Sequence, residues 1–321
     1  MAASYAYVGA PTFIKAVQGR LADAGLVRAD DTASADIVVT FCTTASALED
    51  LYFGDDGLVS SAGPGTVLVD LSATTPNFAR EINAVATVND LVMVEAPLTV
   101  RSLVAEDAFA RENLLGPVAS ESELSEEVRT LLEAIFGEVV ELGAPGRAQL
   151  MRSTHTLPLA ANLASAIEAV ALDDAAARSV GALDADQVPL FCTVSTDPVV
   201  RAVQQRRFAG DYTVEMLLAE LSAALMAADD AEVILPGVEA TMHLLELLAV
   251  IGGADMAPAA LALVYRDEAA GAAVGLDWTR AEQAYGRGGD HSRDEDEDWS
   301  DYDDPDWADD SDYDDFDYTA N

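Results

Sequence analysis

The first half of the chain alternates short apolar runs with segments in which apolar residues recur at helical spacing. Residues 5–10 form a short apolar run with a glycine near its end, and residues 12–26 place Ile14, Val17 and Leu21 on one face. A short apolar run is typical of a strand, whereas a period of about 3.6 residues is typical of an amphipathic helix. The pattern therefore predicts that the chain opens with a strand, a turn and a helix.

Three further apolar runs, at 35–41, 65–72 and 90–98, are almost continuous. Such runs are typical of strands that are covered on both faces. The segments 44–53 and 76–86 between them have helical spacing. Strands that alternate with helices predict an α/β domain with a parallel sheet and right-handed crossovers. The elements that complete this domain are a predicted helix at 122–137 and a predicted strand at 138–144.

The pattern changes near Gly146, after which only helical spacing is found. We therefore predict an α/β domain at 1–146, an all-α domain at 147–285 and an acidic tail at 286–321. The segments of the all-α domain have wide apolar faces, which is typical of helices that pack on one another. Its predicted helices are 148–172, 184–192, 197–207, 213–230, 236–251 and 257–269.

The composition argues against several classes of partner. The chain has 321 residues, of which 50% are hydrophobic, and a formal net charge of −40. This charge repels phosphate backbones and anionic lipid headgroups, so we expect neither a nucleic-acid nor a membrane partner. Cys42 and Cys192 stand alone, which predicts no metal site and fits a reducing cytoplasm. Acids, glycines and a proline interrupt the apolar stretch 243–265, so we expect no transmembrane span.

The tail differs from the rest of the chain. Residues 290–321 contain sixteen acids and one arginine, with tryptophan, tyrosine and phenylalanine spaced among the acids. Such a segment cannot bury enough apolar surface to offset a backbone ordering cost of about 1–2 kcal/mol per residue. We therefore expect a disordered tail, which either increases solubility or docks through its aromatic residues in a basic groove of a partner protein.

Several motifs follow one another in the order of a known family. GDDGL, PGTVLVDLS and TTPNFARE occur within 54–82, followed by EAPLTV at 95–100 and LPLAANLASAIEA at 157–169. In these motifs the chain resembles the β-hydroxyacid dehydrogenases, which include 3-hydroxyisobutyrate dehydrogenase. The resemblance implies a Rossmann domain that binds NAD(P), a helical domain that forms a homodimer, and hydride transfer to or from a small 3-hydroxy acid.

The phosphate-binding turn departs from the family's pattern. That pattern, G-x-G-x-x-G, aligns with residues 9–14, where only Gly9 matches. Pro11 has no backbone N–H to offer a pyrophosphate, and Ile14 places a branched side chain where the helix should pack closely on the strand. The ten residues 26–35 are too few for the strand and the helix that the family has there. We therefore expect weakened NAD(P) binding and a domain that lacks one strand–helix unit.

The resemblance assigns the nicotinamide side of the cofactor site to two loops. These loops contain Thr43 and Thr44 after one predicted strand, and Ser72 and Thr74 after the next. The four hydroxyls could donate hydrogen bonds to the cofactor. Alternatively, they cap the helices that follow, as serines and threonines often do at helix N-termini.

The substrate loop implied by the resemblance is also altered. Thr99 takes the position of a serine that holds the substrate's carboxylate, and Arg101 takes the position of a glycine. A guanidinium suits a carboxylate because its N–H groups form a planar fork. Arg101 is therefore either a new carboxylate clamp or a solvated surface residue.

The family's catalytic lysine aligns with Arg152, and the Asn-Asn pair that orients the substrate aligns with His155 and Thr156. A lysine can exchange a proton near neutral pH, whereas an arginine effectively cannot, because its pKa is above about 12. Arg152 can therefore bind a carboxylate or stabilise an oxyanion. A second lysine of the family aligns with Ala219, so His155 is the remaining proton carrier, unless it is a structural histidine.

Three functional hypotheses follow. We favour a pseudoenzyme that binds at most a small acid or a fragment of the cofactor, because both the phosphate turn and the lysine position have changed. The second hypothesis is an active NAD(P)-dependent oxidoreductase, either a hydroxyacid dehydrogenase or an imine reductase, which uses Arg152 and His155. The third is an interaction protein that works through its acidic tail.

Overall fold

The computed structural model describes residues 3–180 and 198–285. The predicted helix at 184–192 and the acidic tail at 286–321 lie outside the described residues. The described part begins with an α/β domain and changes to helices alone after the last strand, at Gly143. The predicted fold class, a Rossmann-like domain followed by a helical region, is therefore confirmed.

The sheet is mostly parallel. Its strands are β1 (Ser4–Gly9), β2 (Val27–Arg28), β3 (Ile37–Phe41), β4 (Val67–Asp70), β5 (Val92–Glu95), β6 (Thr99–Val100), β7 (Leu114–Ala119) and β8 (Glu138–Gly143). They lie in the order β2-β1-β3-β4-β5-β7-β6, with β8 beside β7. The pairs among β1 to β5 are parallel, and β7 is antiparallel to β5 and β6. Thr40, Asp70 and Glu95 are in register, so the carboxyl ends of β3, β4 and β5 meet at one edge.

Helices cover both faces of the sheet. They are α1 (Pro11–Asp23), α2 (Ala45–Phe53), α3 (Leu58–Ser61), α4 (Pro76–Val88) and α5 (Glu126–Ile135). All five residues of β3 are buried, since Val38 packs with Leu48 of α2 and Val39 packs on the opposite face with Val17 of α1. Burial on both faces explains why the sequence of this strand is apolar without alternation.

The strand–helix unit that we expected to be lacking at residues 26–35 is only partly lost. Residues 29–36 contain no helix, but Val27 and Arg28 pair with β1 as a two-residue strand. The expectation that the strand is lost too is therefore wrong. Two extra hydrogen bonds continue the pairing, from the Val27 N–H to the Ala3 carbonyl (3.0 Å) and from the Ala29 N–H to the Tyr5 carbonyl (2.8 Å).

The sequence pattern did not predict β6 and β7. The segment of β7, LLGPVA, contains Gly116 and Pro117, which both weaken a strand pattern. A Cβ at Gly116 would overlap the Phe136 ring, so the glycine allows that ring to pack directly on the strand. The antiparallel strand β7 then connects β8 to the parallel part of the sheet.

The helical region begins with one long helix, α6, which spans 34 residues. The buried core runs without a break from the sheet into this region, since Val94 of β5 and Ile167 of α6 belong to one apolar cluster. Among the described residues no single helix is both long and apolar enough to cross a membrane. The segments 236–253 and 258–265 reach that length and apolar composition only when they are taken together, and an 86° bend separates them. The elements are α6 (Arg147–Val180), α7 (Pro198–Gln204), α8 (Val214–Asp230), α9 (Pro236–Leu248), a π-turn (Ala249–Gly253), a 3-10 helix (Pro258–Tyr265), α10 (Glu268–Ala272) and α11 (Thr279–Tyr285).

Candidate functional site

A buried carboxyl group lies at the carboxyl edge of the sheet. Asp70 accepts hydrogen bonds from the Thr40 hydroxyl (2.8 Å) and the Ser72 N–H (3.1 Å), and Tyr52 bonds to the Thr40 hydroxyl at 3.0 Å. Burial raises the pKa of Asp70 to about 6, although the hydrogen bonds from Ser72 and Thr40 oppose the shift. This network links β3 and β4 at the carboxyl edge of the sheet, where the loops after these two strands begin.

We expect Asp70→Asn to remove a pH-dependent loss of stability. The pKa of Asp70 is about 6 in the folded protein, against an ordinary value of 3.8. The protonated carboxyl therefore stabilises the fold fully below pH 3.8, and this contribution, about 3 kcal/mol in total, is lost as the pH rises through about 6. About 1.4 kcal/mol of it is lost between about pH 5 and pH 8. Urea unfolding at these two pH values should show that extra loss in the wild type; an equal loss in both proteins would contradict the prediction.

Ser72 links two loops and does not face a ligand. Its hydroxyl accepts a hydrogen bond from the Cys42 N–H at 2.9 Å, and its side chain is fully buried. Thr44 caps α2 by accepting a hydrogen bond from the Ala47 N–H at 3.2 Å, as the alternative interpretation of this threonine expected. The hydroxyls of Thr43 and Thr74 cap no helix.

The turn after β1 is closed by protein contacts. The Ala10 N–H donates to the Phe41 carbonyl at 3.0 Å, and the Tyr7 hydroxyl donates to the Ala10 carbonyl at 2.7 Å. Helix α1 begins at Pro11 and has no side-chain cap. Because proline has no N–H and the amide of Ala10 is occupied, the first amide of this turn that could meet a phosphate is that of Thr12.

Glu95, at the end of β5, caps the long helix α6. Its carboxylate accepts hydrogen bonds from the Gly146 N–H (2.5 Å) and the Gln149 N–H (2.6 Å). Burial raises the pKa of Glu95, and these two hydrogen bonds oppose the shift. A carboxylate at a helix N-terminus is stabilised by the free N–H groups and the helix dipole. The sequence analysis did not find this role because the two partners lie 51 and 54 residues away.

Arg152 is fully buried and pairs with a carboxylate that the sequence analysis missed. Its Nη1 lies 3.7 Å from Oε2 of Glu220 and donates to the Glu220 carbonyl at 3.3 Å. Glu220 also accepts hydrogen bonds from Thr156 (2.6 Å) and Tyr212 (2.7 Å). Burial lowers the pKa of Arg152, and the charge of Glu220 opposes the shift. The sequence contained a signal, because Glu220 is the single acid in the apolar run 216–225.

The remaining predicted substrate residues also contact protein groups. His155 is half-buried, and its Nε2 lies 3.1 Å from the Val100 carbonyl. Thr99 is buried and donates its hydroxyl proton to the Pro97 carbonyl at 3.1 Å. Arg101 forms an exposed ion pair with Glu138 at 2.5 Å. The structure therefore places these side chains in three separate surroundings.

A cavity of about 630 Å³ lies between the α/β domain and the helical region. Its walls are the loops after β3 and β4, helices α2 and α4, and helices α8 and α9. Of the ten predicted site residues, Thr43, Thr44 and Thr74 line this cavity, and Ala219 stands on the opposite wall. The predicted residues that do not line it are Gly9, Ser72, Thr99, Arg101, Arg152, His155 and Thr156.

Comparison with known proteins finds relatives of the first domain. A model described as the NAD binding domain of 6-phosphogluconate dehydrogenase matches residues 13–143, beginning just after the turn at Gly9 to Thr12. The NAD-dependent L-serine dehydrogenase of Pseudomonas aeruginosa is 31% identical over 143 residues, which are 44% of this chain and 47% of that protein. The chain spans less than half the length of the first curated relatives that it matches.

Solved structures share the fold over a longer stretch. The 3-hydroxyisobutyrate dehydrogenase of Salmonella typhimurium superposes with a TM-score of 0.65 and 17% identity, over 82% of this chain and 99% of that one. Psf3 in complex with NADP+ and 2-OPP gives a TM-score of 0.66 and 18% identity, over 82% and 100%. The family match, the curated relatives and the order of motifs agree: residues 13–143 are similar to the NAD binding domain of the β-hydroxyacid dehydrogenases.

Proposed function

We propose that this protein binds a small organic ligand in the cavity between its two parts and does not carry out NAD(P)-dependent hydride transfer. The observation that carries the proposal is the turn after β1, in which neither Ala10 nor Pro11 offers a free N–H. Hydride transfer needs a bound cofactor, and the family holds its pyrophosphate on the amides of this turn. Here Pro11 has no amide N–H, and the N–H of Ala10 is bonded to Phe41.

The charge of the cavity supports the same proposal. Its lining contains five carboxylate side chains and no arginine or lysine. NAD and NADP carry a negatively charged pyrophosphate, which the long-range field of these carboxylates and of the net charge of −40 disfavours. The lining therefore offers no cation that could hold the phosphate groups of a dinucleotide.

The position of Arg152 argues against the alternative of an active enzyme that uses Arg152 and His155. Arg152 has no exposed surface and is not among the cavity-lining residues. Ala219, which aligns with the family's second lysine, lines the cavity but carries no ionisable group. A guanidinium held against Glu220 behind the wall can neither contact a substrate nor exchange a proton with it.

Titration with NADH and NADPH tests the proposal directly. We expect no saturable change in nicotinamide fluorescence up to about 1 mM cofactor, a concentration at the upper end of ordinary KM values. We also expect no oxidation of 3-hydroxyisobutyrate or L-serine in the presence of NAD or NADP. Saturable binding at micromolar cofactor, accompanied by turnover of either alcohol, would overturn the proposal.

A further inference from the structure

The cavity wall is strongly acidic. Asp230 accepts a hydrogen bond from the Asn77 side chain at 2.5 Å, and Glu246 lies 3.0 Å from Nδ1 of the exposed His243. Within the described residues, the other three carboxylates have no hydrogen-bond or ion-pair partner. Arg80 reaches Asn77 but does not line the cavity. The five acids are Glu49, Glu81, Glu215, Asp230 and Glu246.

The remainder of the wall is largely apolar. A volume of about 630 Å³ falls in the range of about 300–1,000 Å³ that is typical of small-molecule sites. An apolar wall with a few charged groups suits a ligand that has a hydrocarbon body and one opposite charge. The apolar side chains are Ala45, Ala73, Phe78, Leu218, Ala219, Ala223, Met226 and Met242.

Thr74 supplies a polar group that has no partner in the protein. It is only 6% exposed and lines the cavity, yet its hydroxyl makes no hydrogen bond to any described residue. Its backbone is held from behind, because its N–H donates to Oε1 of Gln149 (3.1 Å) and its carbonyl accepts from Arg152 (3.4 Å). The Thr74 side chain is largely buried, but its hydroxyl is accessible from the cavity, so it can accept a hydrogen bond from a ligand N–H.

From these groups we infer that the cavity binds an organic cation, a primary ammonium group on an aliphatic or aromatic body, and not an organic acid. This inference rests on the proposed small-ligand function and names the class of its ligand. The ammonium donates to the Thr74 hydroxyl and lies among the unpaired carboxylates, while the hydrocarbon body covers the apolar wall. A carboxylate ligand would meet only like charges.

Three probes of the same length test the charge preference: n-hexylammonium, n-hexanol and hexanoate. Calorimetric titration at about 0.15 M salt limits the attraction between the probe and distant charges of the protein, since the screening length is then about 8 Å. We expect hexylammonium to bind about tenfold tighter than hexanol and hexanoate to bind weakest. Thr74→Val should weaken binding of hexylammonium more than binding of hexanoate.

A matched pair of double variants separates the cavity from the overall charge of −40. Glu81→Gln with Glu215→Gln removes two unpaired acids from opposite walls and should weaken hexylammonium about tenfold. Glu133→Gln with Glu282→Gln removes the same charge from exposed positions outside the cavity and should change the affinity less than about twofold. Hexanol affinity and the urea midpoint check that each variant keeps its fold.

Two results would overturn the inference: hexanoate binding as tightly as hexylammonium, or equal losses in the two double variants. If hexanol or hexanoate were preferred while NADPH failed to bind, the cavity would remain a small-ligand site and only the charge of its ligand would be wrong. NADPH binding with turnover would instead overturn the proposed function, whatever the order of the three probes.

Discussion

Replacing Glu220 with alanine should lower the free energy of unfolding by about 3–5 kcal/mol, because it leaves the charge of Arg152 buried without a carboxylate. Arg152 is fully buried, and Thr156 and Tyr212 would each lose the acceptor of a short hydrogen bond. Desolvating a charge costs far more than an exposed ion pair contributes. Urea unfolding at pH 8, followed by circular dichroism, measures the difference.

Glu215→Ala is the matched control for this variant. Glu215 lies on the same helix, α8, but is exposed, so its loss should change stability by less than about 0.5 kcal/mol. The double variant Arg152→Met with Glu220→Leu should recover most of the stability, since apolar residues often replace a buried ion pair without loss. If Glu220→Ala unfolds at the same urea concentration as Glu215→Ala, the ion pair of Arg152 and Glu220 does not stabilise the protein.

The fold of the first domain could be predicted because its signals are local. The apolar runs of β3, β4 and β5 reflect burial on both faces of the sheet. Strand β7 could not be predicted, since Gly116 and Pro117 obscure its pattern and only the contact with Phe136 explains the glycine.

The candidate site was harder to predict because its contacts join distant parts of the chain. The position of Arg152 was visible in the sequence, but its ion pair spans 68 residues. The same arginine also bonds to the carbonyl of Thr74, 78 residues away. Arg152, which aligns with the family's catalytic lysine, therefore holds the backbone of the cavity wall at Thr74 and does not line the cavity. No local pattern in the sequence reveals that this arginine is buried.

Gly9 ends β1 in a backbone conformation that favours glycine. Gly9→Ala should lower the free energy of unfolding by about 4 kcal/mol. Gly9 has φ +140°, a conformation that costs other residues about 1–3 kcal/mol. An alanine Cβ there would also overlap the backbone of Phe41, and displacing packed elements costs about 1–3 kcal/mol more. Chemical denaturation of the purified variant checks this value, and failure to obtain soluble protein would be the extreme of the same effect.

Two other glycines separate the causes. Gly65 has φ +84° with open space around a Cβ, so Gly65→Ala should show only the conformational cost, about 1–2 kcal/mol. Gly19 lies within α1, also in open space, and Gly19→Ala should stabilise the protein by about 0.5–1 kcal/mol. If Gly9→Ala costs no more than Gly65→Ala, the contact with Phe41 is unimportant. If it costs several kcal/mol more, packing of β1 against β3 by itself requires glycine at this position, and the residue is then no evidence for a bound pyrophosphate.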